Sequence, residues 1–164
     1  MKSFMSSQAQ SQPPSQSQAA LSQISHPHLN ALDLAYRQTH YQVFSEEKTI
    51  SVRVDNQNSM LDQLVRQHGH NRWALITAYN PYSQPLTALA NQVRNKALAK
   101  KLWSIYWPIF RAVGQDDAGQ WPSEESFFVI GIGEEDAMAL GQKYEQNAIL
   151  VGEVNHSPQL IWLR

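Results

Sequence analysis

Asn91, Arg94 and Asn95 fall in one sector of a helical stretch that begins just beyond Asn80-Pro81. Amides and a guanidinium gathered in one place can hold a carboxylate or a phosphate. Asn80 ends an apolar run, and in α/β sheets ligands bind beyond the carboxyl ends of strands. A second source of chemistry is Glu124-Glu125, which opens another apolar run. Adjacent strand residues face opposite sides, so these two carboxylates do not converge. Glu125 is the one expected to meet Arg94 or its neighbouring amides. The candidate ligand-binding set is therefore Asn80, Asn91, Arg94, Asn95 and Glu125.

Other chemistry is thinly represented. The chain has no cysteine, which removes disulfides, thiol nucleophiles and Cys-ligated metals together. His26-Pro27-His28 and His68-Gly69-His70 are close pairs, but zinc needs three or four converging ligands. Gly131-Ile132-Gly133 is half of a dinucleotide fingerprint, with Asp136 where the third glycine belongs. The acids that follow complement a helix N-terminus instead. No serine sits in a nucleophile elbow. Neither a metal nor a cofactor is expected, and no residue is assigned a catalytic role.

Trp103, Tyr106, Trp107 and Phe110 crowd one short segment. Such a cluster is mostly core. Aromatics also anchor interfaces, so Trp103, Tyr106 and Trp107 are the candidate interaction surface.

These residues need a scaffold. The chain has 164 residues and a net charge of -1, so it lacks the basic excess that nucleic-acid binding draws on. No apolar run approaches the length of a membrane span. No apolar stretch follows Met1-Lys2 either, so a cytoplasmic location is expected. Residues 1–25 are rich in Gln and Ser and read as a disordered tail. Residues 26–35 read as a transition, and 36–164 as a single globular domain. Strands are expected at 36–44 and 49–54, a helix that starts within Asp55-Asn56-Gln57-Asn58-Ser59 and ends near Gly69, and a buried strand at 72–79. A helix over 86–106 should bury a stripe of Leu86, Ala90, Val93 and Ala97, with Leu98 and Leu102 beside it. A loop at 113–123, a strand at 125–132, a helix to Tyr144 and strands at 147–154 and 159–163 complete the order ββαβαβαββ. The fold class is α+β or α/β, with a mixed sheet packed against about three helices.

The run Trp73-Ala74-Leu75-Ile76-Thr77-Ala78-Tyr79-Asn80-Pro81 is followed by Ser83, Leu86, Asn91, Asn95 and Leu98. Further on stand Trp121, Glu124-Glu125-Ser126-Phe127, Leu140-Gly141 and Tyr144-Glu145-Gln146-Asn147-Ala148. Together these resemble DUF3293, a family of bacterial proteins of unknown function. The resemblance spans about residues 36–163 and implies one compact domain, with no activity or cofactor attached to it. The residues themselves favour a non-catalytic binding or regulatory module for a protein or a small anionic ligand. The alternative is a small enzyme acting on a nucleotide-like or phosphorylated substrate.

Overall fold

A computed structural model describes residues 27–105, 107–117, 119 and 121–164. The expected tail at 1–25 and Tyr106 lie outside the described residues. The order is α1 (Pro27–Gln38), β1 (Thr39–Phe44), β2 (Thr49–Val52), α2 (Ser59–Gln67), β3 (Arg72–Ile76), a 3-10 turn (Pro81–Ser83), α3 (Ala88–Trp103), β4 (Ile109–Asp116), β5 (Glu124–Ile130), α4 (Glu134–Lys143), β6 (Ala148–Glu153) and β7 (Gln159–Trp162). The sheet lies in the compact unit Leu34–Arg164. Among the described residues no helix is long and apolar enough to cross a membrane.

Seven strands form one sheet in the order β2-β1-β4-β5-β3-β6-β7. Every pairing is antiparallel, so the fold is α+β and the sheet is not mixed. Each face feeds its own core. Trp73 and Leu75 join Val43, Val52, Phe128 and the α2 residues Leu61 and Val65 on one face. Ala74 and Ile76, one residue out of phase, join Val129, Leu98, Leu102 and the α4 residues Ala137 and Leu140 on the other. β3 is therefore buried on both faces, as its unbroken apolar run predicts. The Asn58 side chain caps α2 by accepting from the Met60 and Leu61 amides. The first turn of α4 carries Glu134, Glu135 and Asp136, with Lys143 at its end, matching the helix dipole.

Three expectations are corrected. Residues 36–38 belong to α1, so β1 starts at Thr39 and the helices number four among the described residues. Ile109–Asp116 is a strand where the sequence reading placed a loop from 113. It pairs β1 on one side and β5 on the other, and these ladders override the Gly and Asp residues that read as turn formers. The third correction concerns α3. Its buried residues are Asn91, Asn95, Leu98, Ala99 and Leu102. Leu86, Val93 and Ala97, expected inside, are exposed. The helix has turned its amides inward.

Candidate functional site

The reason for that turn lies where β3 ends. Beyond Ile76 the chain leaves the ladder, and its buried peptide groups need new partners. The Asn95 Oδ1 accepts from the Ala78 amide at 3.2 Å, and the Asn91 Oδ1 accepts from the Asn80 amide at 2.8 Å. Asn91 also donates through Nδ2 to the Asn80 Oδ1 at 2.8 Å. That same oxygen accepts from the Leu86 amide at 3.0 Å, and the Asn80 Nδ2 donates to Glu124 Oε1 at 2.6 Å. Asn80 is thus bonded through its backbone amide and both side-chain polar atoms. It stands in the left-handed region, φ 43°, where asparagine is tolerated better than most residues.

Arg94 ties this loop to a second one. Its Nε donates to the Ala78 carbonyl at 2.9 Å, and its Nη2 to the Tyr144 carbonyl at 2.8 Å. The same guanidinium pairs with Glu145 at 3.1 Å. The Gln146 Nε2 bridges back to the Tyr79 carbonyl at 2.9 Å, and the Tyr82 amide donates to the Glu145 carbonyl at 2.6 Å. Asn147 Nδ2 donates to Ser83 Oγ at 2.8 Å. Tyr82, Ser83 and Glu145 share with Asn80 a positive φ. Non-glycine residues hold that conformation only where surroundings over-determine it, and such strain clusters at functional sites.

Four of the five candidate residues, Asn80, Asn91, Arg94 and Asn95, therefore meet. Glu125 stands apart: its side chain is half exposed and lies 3.6 Å from Arg111. Its neighbour Glu124 takes the inward place. Strand parity carried that signal, since Ser126 and Phe128 are buried on the same face as Glu124. Gln146, Asn147 and Ser83 are the other contributors outside the candidate set. Of the aromatic candidates, Trp103 is 67 % exposed, whereas Trp107 packs against the α3–α4 core. Among the described residues, no three His, Asp or Glu side chains gather as metal ligands.

Burial pushes the Glu124 carboxyl above its ordinary range, and the Asn80 hydrogen bond pulls weakly the other way. Burial also raises the Tyr36 and Tyr41 hydroxyls, with the negative charge of Glu124 adding to both. Gly114 lies between Tyr41 and Glu124 across the strands, and its missing side chain leaves the place the Tyr41 ring leans over. The sign of the pH effect follows. In the window above 4.5, the unfolded Glu124 has lost its proton while the folded one retains it. Stability contributed by this group falls as pH rises through that window. Glu124→Gln keeps an oxygen for Asn80 to donate to and removes the titration. The variant should resist urea better than the native chain near pH 7, with the difference closing at about pH 4. Urea midpoints at the two pH values check this.

The model of a protein family of unknown function, DUF3293, matches residues 76–149. No curated protein and no solved structure matches the chain. The matched stretch opens at the last residue of β3, and it contains Asn80, Asn91, Arg94, Asn95, Glu124 and the 144–147 loop. The region that ties the two loops together thus lies within the stretch that is similar to DUF3293.

Proposed function

We propose that the chain is a non-catalytic binding module whose partner is a helical protein segment bearing apolar side chains and carboxylates. The observation that carries this reading is the outward face of α3. Leu89, Val93, Lys96, Lys100 and Trp103 recur there at intervals of four, three, four and three residues. That is the spacing of a coiled-coil seam. Leu89 is 72 % exposed and Val93 60 %. Large apolar residues concentrated on one exposed face mark an interaction site. The helix carries no acidic residue, and the two lysines sit in the seam itself. A second copy docked symmetrically would bring lysine to lysine, so an acidic partner is favoured. The Asn80 network holds the N-terminal half of α3 against the sheet, which keeps this face rigid. Arg94 is engaged with two carbonyls and Glu145, which favours a protein partner over a small anion.

The test uses a synthetic amphipathic peptide of Leu and Glu, its Lys counterpart, and phosphatidylglycerol vesicles. The Glu peptide should bind, the Lys peptide should not, and added salt should weaken binding. Leu89→Glu with Val93→Glu should cost at least about tenfold in affinity while leaving the circular dichroism unchanged. Equal binding by the double variant, or no binding of the Glu peptide, overturns the proposal. Binding to vesicles alone overturns it in favour of a membrane surface.

The enzyme reading draws on one observation, the buried Glu124 carboxyl beside the strained Asn80–Ser83 turn. A raised carboxyl can serve as a general acid. Turnover of a phosphorylated or nucleotide-like compound that disappears in Glu124→Gln would favour it.

A further inference from the structure

The opposite end of β3 holds a cavity of about 260 Å³, open to solvent on one side. Its base is apolar, built from Ala74, Ile132, Ala137 and Val151 on the face of the sheet that α4 covers. Its rim is charged, with Arg72, Glu134 and Glu153. Arg72 and Glu153 are cross-strand partners, an arrangement in which opposite charges attract. Yet among the described residues neither carboxylate forms an ion pair with Arg72. One cationic and two anionic side chains therefore line a single small cavity without neutralising one another. The volume lies below the roughly 300 Å³ at which drug-sized sites begin, so it suits a ligand of amino-acid size.

We propose that this cavity binds a small zwitterion, an α-amino acid with a short apolar side chain. Arg72 receives the carboxylate in the fork geometry guanidinium favours. Glu134 and Glu153 receive the ammonium, and the side chain rests on Ile132, Ala137 and Val151. A ligand carrying both charges satisfies both sides of the rim, whereas a simple anion would face two carboxylates. The site is separate from the Asn80 network and from the outward face of α3. Arg72 and Glu153 lie outside the family-matched stretch, whereas Ile132, Glu134 and Ala137 lie within it.

The experiment is a titration of the full chain, followed by amide and indole nuclear magnetic resonance shifts. The probes are L-valine, isobutylamine and isobutyrate, the last two carrying only one charge each. L-Valine should give saturable shifts at the Ala74, Val151 and His156 amides, with the Trp73 indole on the other face unmoved, isobutylamine weaker and isobutyrate weakest. Arg72→Gln should lower L-valine affinity about tenfold and abolish its advantage over isobutylamine. Glu134→Gln, on a different element, should also cost about tenfold. The absence of saturable shifts with L-valine overturns the proposal. So does unchanged affinity in both variants, or isobutylamine binding as tightly as L-valine. Shifts confined to α3 overturn it as well, since they place the ligand elsewhere.

Discussion

Gly152→Ala should lower the unfolding free energy by about 3 kcal/mol, at the upper end of what overpacking a core costs. The new methyl group would stand 2.2 Å from Trp73 Cζ2, 2.3 Å from Cε2 and 2.7 Å from Nε1. The indole has nowhere to retreat. It is 2 % exposed and packed against Phe128, with ring centroids 5.1 Å apart. Both rings belong to the core that β3 and β5 share with α2. Rigid rings in a close-packed interior transmit the strain instead of absorbing it. Urea unfolding, read by far-ultraviolet circular dichroism, measures the loss. A second variant isolates the cause. Trp73→Leu in the Gly152→Ala background should cost less than the sum of the two single changes, because the smaller side chain removes the clash. Strict additivity would show that the methyl group acts through something other than the indole.

Asn91→Ala should cost about 2–4 kcal/mol, far more than trimming a polar helix side chain ordinarily does. Asn91 is 4 % exposed. Its removal strands the Asn80 amide and deprives the Asn80 Oδ1 of a donor. A buried group left without its partner loses its full solvation, about 1–3 kcal/mol for each. The strained conformation of Asn80 also loses one of the contacts that hold it. Asn95→Ala, which strands only the Ala78 amide, should cost about half as much. Hydrogen exchange locates the damage: the Asn80 and Leu86 amides should exchange faster in Asn91→Ala, with β6 and β7 unaffected. Equal effects of the two substitutions would mean that the doubled Asn80–Asn91 contact contributes nothing beyond a single bond.

Local pattern carried much of this molecule. The alternation in Thr49–Val52, the polar run Asp55-Asn56-Gln57-Asn58-Ser59 with Leu61, Leu64 and Val65 behind it, and the unbroken apolar run of Arg72–Ile76 each declared its element. These signals depend on near neighbours in sequence. The family match embraces Asn80-Pro81 and Tyr144-Glu145-Gln146-Asn147 but not Trp73-Ala74-Leu75, and it covers 76–149 where the resemblance implied about 36–163. Amide and guanidinium chemistry was enough to mark Asn80, Asn91, Arg94 and Asn95 as belonging together.

Pairing and face were decided elsewhere. β4 reads as a loop at Gly114 and Asp116 because a strand between two partners draws its stability from ladders formed with distant residues. The orientation of α3 could not follow from hydrophobicity, since Leu89 and Val93 are more apolar than the asparagines that displaced them. Only the folded chain brings the unpaired amides of Ala78 and Asn80 beneath that helix, and satisfying them outweighs burying two aliphatic side chains. The choice of Glu124 over Glu125 came from strand register, in which one residue's shift exchanges the faces. So the sequence by itself determined most of the elements and the chemical kinds that meet at the end of β3. The tertiary structure decided which of them face inward, because unpaired backbone groups are costly and become visible only once distant strands are in place.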